Sequence, residues 1–219
     1  MRHLLAIASK DLKSELRTKE TLNASISFSV TVLLLFSFAF EPSADQMREL
    51  GGGLLWMVFL FAGTLIVNRA FARELPNDCL DILLVSPVSA TSLFLGKCLA
   101  NFVIMLVVEA AAIPVFLLFN NLTLLRPWDF VLTALLASWA ITVIGVAFGA
   151  LTVNLRLREL MLPVMLYPMV IPPLLAAFDL TGRALSGEPP EMLWLRVLVG
   201  FDVIFTCLSI LVMDQILVN

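Results

Sequence analysis

Charge is scarce in this sequence. Only 14% of its 219 residues are Asp, Glu, Lys or Arg, while 60% are hydrophobic and the mean hydropathy is +0.99. A soluble domain carries roughly 25% charged residues, so an ordinary soluble fold is excluded. The single histidine, His3, rules out a bis-histidine haem or metal site within the chain. The three cysteines, Cys79, Cys98 and Cys207, have no CxxC spacing, so neither a redox pair nor a zinc site is indicated. There is no basic block or RNA-type aromatic motif, which argues against nucleic acid as a partner. The only Gly-Lys pair, Gly96-Lys97, is followed by Cys98, and no glycine opens a GxxxxGK[ST] loop before it. Neither HExxH nor GxSxG occurs. The chain is therefore not expected to be an enzyme.

What the sequence has instead is long apolar runs. A membrane span needs about 20 mostly apolar residues, so six spans take about 120 residues and leave only short connections. Hydropathy places them near 22–40, 51–69, 97–119, 129–152, 160–178 and 194–217. The whole of 1–219 reads as one transmembrane domain. The first apolar run is long enough to span and follows about 20 polar and charged residues, as in a retained anchor rather than a cleaved signal.

Those first 20 residues form an amphipathic pattern. Leu5, Leu12 and Leu16 share one helical face with Met1 and Ala8 at its edge, and Lys10, Lys13 and Arg17 form a flank. Such a helix suits the headgroup plane of a bilayer. The basic residues also set orientation. With the N-terminus inside, the inner pieces hold Arg2, Lys10, Lys13, Arg17, Lys19, Arg69, Arg73, Lys97, Arg156 and Arg158; the outer pieces hold Arg48, Arg126, Arg183 and Arg196. Ten against four places both termini in the cytoplasm. Trp56, Trp128 and Trp194 then fall near the outer interface, where an aromatic belt belongs.

Two features depart from a plain bundle. The fifth span, LMLPVMLYPMVIPPLL, contains Pro163, Pro168, Pro172 and Pro173. Each removes a backbone hydrogen bond, so a helix that is bent, packed or cavity-lining is expected. The loop after it, 179–193, has no clear element. The second feature is a pair of acids inside spans, Glu109 and Asp202, the candidate intramembrane polar site. A charge at such depth costs about 2.5–3.5 kcal/mol on insertion scales and faces the bundle interior. A proton or substrate contact is one reading; a hydrogen-bonding residue in an interhelical seam is the favoured one.

The connection between the second and third spans is the longest. Within it FARELPNDCLDILLVSP, residues 71 to 87, is too short to cross a bilayer. Residues 78–85 form a short amphipathic run, acidic at the start where a helix N-terminus favours anions. Asn77 or Asp78 supplies the N-cap, and Ser86-Pro87 ends the helix. A capped two-turn helix of this kind either rests on the membrane or inserts into a partner's groove.

A basic interfacial helix, six spans and a short acidic-then-leucine helix after the second resemble the permease subunits of ABC-2-type transporters. The closer resemblance is to the haem exporter protein B (CcmB) family, the permease of the cytochrome c maturation ABC complex. It rests on Phe71, Glu74, Leu80, Asp81, Leu83, Leu84, Pro87 and Lys97 at matching spacing, on GGLLWM opening the second span, and on LPVMLYPMVIP in the fifth. Asp78 stands where that family usually has glycine. The resemblance implies an all-α permease in the bacterial inner membrane, with Phe71, Glu74, Asp78, Leu80, Asp81, Leu83, Leu84 and Pro87 in contact with a separate cytoplasmic ATPase subunit. Two ATPase copies would imply a second permease copy. A haem-handling membrane subunit and a periplasmic haem chaperone are the other implied partners, beside the lipid bilayer. No cofactor is expected in this chain: haem would be the substrate of the complex, and ATP would bind the partner. The other readings are an ABC-2 exporter of a different hydrophobic substrate and a proton-coupled secondary transporter using Glu109.

Overall fold

The computed structural model describes residues 2–40, 44–72, 89–152 and 157–218. Among these there are seven helices and no strand: α1 Arg2–Thr18, α2 Glu20–Phe40, α3 Ala44–Ala72, α4 Ala90–Phe119, α5 Pro127–Thr152, α6 Arg158–Ser186 and α7 Met192–Val218. Helices α2 to α7 are each long and apolar enough to cross a membrane. The protein is an all-helical, multi-pass membrane protein. Six antiparallel crossings bring α1, the end of α3, the start of α4 and the end of α7 to one end of the bundle, called here the α1 end.

Helices α3 and α5 form the centre. Two-thirds of each apolar window is buried (67%), against 17% for α2 and 11% for α7. Lipid tails are as apolar as Leu, so tight contact rather than exclusion from water must hold such helices together. The α3–α5 crossing shows how. A Cβ on Gly145 would lie 2.7 Å from Cγ2 of Val67, so only glycine admits this approach. Elsewhere in the bundle Leu55, Phe59, Val108, Val146, Leu166 and Val170 are fully buried. The peripheral helices turn large apolar side chains outward, Phe38 on α2 and Val203, Ile204 and Leu211 on α7, and in a bilayer these face lipid.

Several boundaries differ from the sequence expectation. Helix α4 begins at Ala90, seven residues before position 97, because Ser89 caps it: its Oγ accepts a hydrogen bond from the Ser92 N–H at 3.3 Å. Helix α3 starts at Ala44, so most of EPSADQMREL is helical. Helix α6 runs on to Ser186 through residues expected in the 179–193 loop. An i,i+4 pair, Arg183 with Asp179 at 2.7 Å, supports this last turn, and Gly187 ends it in the left-handed conformation at φ 82°. The four prolines of α6 lie within one continuous helix, with Pro168 and Pro172 on its exposed side and Pro173 buried. Their neighbours on α3, α5 and α7 pack along this helix, the protein surroundings a proline-interrupted span requires.

Two further expectations change. Trp56 is 2% exposed and donates its indole N–H to Thr181 Oγ1 at 2.8 Å, so it is an interior tie between α3 and α6 rather than a belt residue. Trp128 is 83% exposed, as a belt residue should be. Helix α1 has three faces, not two. Leu5 and Leu16 stay exposed, and Lys10, Lys13 and Arg17 are likewise turned out. A third face carrying Ile7, Ala8, Asp11 and Glu15 docks on the bundle. Ala8 belongs to that docked face, because a 100° step per residue separates it from Leu5 and Leu16.

Candidate functional site

The segment singled out in the sequence falls almost wholly outside the described residues. Glu74, Asp78, Leu80, Asp81, Leu83, Leu84 and Pro87 all lie there, and Phe71 lies in the last turn of α3. What the structure does describe is the frame from which that segment departs and to which it returns: the end of α3, the start of α4 and the helix α1 across them.

Helix α1 reaches this frame through a close crossing. A Cβ on Gly96 would sit 2.9 Å from Cβ of Ile7 and 3.0 Å from the carbonyl oxygen of Leu4, so glycine lets α1 lie directly on α4. The next residue, Lys97, is fully buried (0% exposed). Its Nζ donates to the carbonyl oxygen of Ala70 at 2.8 Å and lies 3.6 Å from Oδ2 of Asp11. The last four carbonyls of a helix have no partner within it, and the C-terminus of a helix carries partial negative charge. The ammonium of Lys97 meets both needs at the end of α3, and the carboxylate of Asp11 compensates a charge held away from water. One side chain thus joins α4, α3 and α1.

The neighbouring groups fix the same corner. Glu15, 2% exposed, accepts a hydrogen bond from the Leu22 N–H at 2.9 Å, in the first turn of α2. Lys19 alone connects α1 to α2, in the left-handed region at φ 53°. Arg69, one residue before Ala70, pairs with Glu20 at 2.6 Å; both are well exposed, and such a pair contributes little. Asn101 donates to the Lys97 carbonyl oxygen at 2.7 Å. A cleft of about 220 Å³ opens among Lys10, Asp11, Glu15, Arg69 and Asn101.

The acids inside the spans occupy different helices. Glu109 on α4 accepts a hydrogen bond from Ser138 Oγ on α5, and both are buried. Asp202 on α7 is 7% exposed, and neither carboxylate oxygen has a hydrogen-bond partner among the described residues.

The opposite end is held by polar groups too. Arg183 binds Asp179, Glu188 and Glu191 at 2.7, 3.3 and 2.7 Å, tying α6 to the connection before α7. The Arg126 N–H donates to the Ala184 carbonyl oxygen at 3.1 Å. A cavity of about 580 Å³ opens beside Arg48, Glu49, Asp179, Arg183 and Glu188.

Sequence reasoning identified Lys97 as a basic flank at the mouth of a span and missed its burial. The signal was present: Lys97 and Glu109 are the only charged residues in the 30 residues of α4. A charge two turns inside so apolar a helix needs a partner.

The profile of the CcmB protein family matches residues 2–216 of this sequence. Among similar proteins, the Heme exporter protein B of Rhodobacter capsulatus is 27% identical over 187 residues, covering 85% of this chain and 86% of that protein. The Heme exporter protein B of Bradyrhizobium diazoefficiens is 29% identical over 187 residues, covering 85% of this chain and 84% of that protein. That of Pseudomonas aeruginosa is 26% identical over 196 residues, with 89% and 87% covered.

Proposed function

The chain belongs to the CcmB protein family, and from that premise we propose that it is the membrane-spanning permease subunit of an ABC transporter serving cytochrome c biogenesis. In this reading a separate cytoplasmic ATPase, in two copies, hydrolyses ATP, and this chain has no catalytic activity of its own. The closing ATPase pair moves the segment 71–87, and the spans reorient with it. The complex exports haem or releases the haem-loaded periplasmic chaperone. Its second docking site is supplied by a second permease unit.

The observation that carries this reading is a family match over 2–216 on a six-span fold, with its one long polar connection at the α1 end. In this reading that end, which carries the excess of Lys and Arg, lies on the cytoplasmic side of the bacterial inner membrane. An energy-coupling element must make different contacts in two states, and the short amphipathic run expected from the sequence of residues 78–85 suits that need better than a buried span. Glu109 has a seam partner in Ser138, which favours a packing role over a proton site.

The test is recovery of the complex in detergent followed by mass spectrometry. The unaltered chain is expected to retain a stand-alone ABC ATPase and haem-handling membrane subunits. Leu80→Arg or Leu83→Arg is expected to abolish retention of the ATPase while the chain stays in the membrane at its normal level. Undiminished retention in both variants would remove the docking role of 71–87.

A further inference from the structure

We propose that Lys97 is a positioning residue for energy coupling, holding the two stems of the 71–87 connection together and to α1 so that movement of that connection reaches the spans. The inference rests on the docking role proposed above for that connection.

The geometry is specific. The connection leaves from the end of α3 and returns at Ser89, the cap of α4. Two free stems would let a docked segment swing without moving either helix. Lys97 removes that freedom: from the second turn of α4 it grips the Ala70 carbonyl, near the last residue of α3, at 2.8 Å. Its second contact, Asp11 at 3.6 Å, extends the grip to α1. The same helix is pressed onto α4 one residue earlier, at Gly96. Through Glu15 and the Leu22 N–H, α1 is also fixed to the start of α2. A push on the connection is therefore delivered to three helices at once, α2, α3 and α4.

An ammonium suits this task. A buried cation whose contacts include a carbonyl on one helix and a carboxylate on another resists sliding, because moving it costs those contacts where water cannot replace them. Methionine is the informative replacement, since it keeps much of the unbranched length of lysine and removes the charge and the donors.

The experiment uses the complete complex in membranes. For each variant it measures chain abundance, retained ATPase, ATP hydrolysis, and holocytochrome c formed per ATP hydrolysed. Lys97→Met is expected to retain the ATPase and its hydrolysis, while holocytochrome c per ATP falls about tenfold, within the usual range of coupling energies. Lys97→Arg, which keeps the charge, is expected to recover part of that loss. An unchanged ratio in Lys97→Met would overturn the proposal. If Lys97→Met does not accumulate, Asp11→Asn decides, with a smaller fall in the same ratio expected and an unchanged ratio overturning the proposal. Loss of both variants from the membrane would show a folding role only and would also overturn it. If the unaltered complex holds no ATPase, the docking reading itself fails, an outcome separate from any behaviour of Lys97.

Discussion

Lys97 ties helices together at one end of the bundle, and Arg183 ties a helix to its following connection at the other, under opposite conditions. Lys97 is fully buried, and its contacts include a carbonyl on one helix and a carboxylate on another. Arg183 keeps 29% of its side chain exposed and has three carboxylates within reach, one in its own helix and two in the following connection. Losing one partner leaves Arg183 with two others and with water. Losing a partner of Lys97 strands a group that water cannot reach. A charge with redundant, wet partners makes a tolerant clamp, whereas a charge itself held away from water makes a rigid one. Rigidity is placed at the end that carries the longest connection, which is where a mechanical input would have to enter.

Removing the dry tie is the strongest way to break this comparison. Lys97→Ala deletes stem and charge together and frees the Ala70 carbonyl, while Asp11 keeps its ion pair with Lys10 at 3.3 Å. Leaving a carbonyl without its donor in the space a buried side chain filled costs about 1–3 kcal/mol, so a clear fall in thermal stability of the detergent-solubilised complex is expected. A melting temperature equal to that of the unaltered protein would place Lys97 in the same tolerant class as Arg183.

The spans were legible because hydropathy over about 20 residues reports a property each helix has alone. The apolar stripe of α1 was legible for the same reason, since Leu5, Leu12 and Leu16 repeat at helical spacing, although Leu12 packs on the bundle and only Leu5 and Leu16 stay exposed. The docked face was not, because Asp11 and Glu15 look like solvent-facing residues until their partners Lys97 and Leu22 are brought to them. The extension of α6 was missed because Asp179, Thr181 and Arg183 lower the hydropathy just where a salt bridge and Trp56 make those residues at home in a helix. The burial of Lys97 was missed by a related bias, since hydropathy started the span at position 97 and so put at its mouth a residue that lies two turns inside the helix. The candidate docking residues from Glu74 to Pro87 rest on sequence alone, as they lie outside the described residues.

Arg183→Gln tests the wet side. A smaller loss of thermal stability than for Lys97→Ala is expected at low ionic strength. At about 1 M salt, where the screening length is near 3 Å, the difference from the unaltered protein should largely vanish. A loss that persists in high salt would mean that the outer carboxylates act as a dry cluster, and the contrast between the two ends would disappear.

The smallest effect should come from the middle. Glu109 and Ser138 join α4 to α5, 29 residues apart in sequence, within the dry interior. Their geometry asks only that Glu109 offer an oxygen to the Ser138 hydroxyl. Glutamine keeps that oxygen at the same reach and is nearly the same size, so the hydrogen bond survives Glu109→Gln and stability should change by less than about 1 kcal/mol. What glutamine cannot do is exchange a proton. Holocytochrome c accumulation therefore separates the two roles. An accumulation within about twofold of normal fits a residue whose value lies in its hydrogen bond. A collapse at normal chain abundance would show that the proton of Glu109 matters, and would favour the proton-site reading over the packing one.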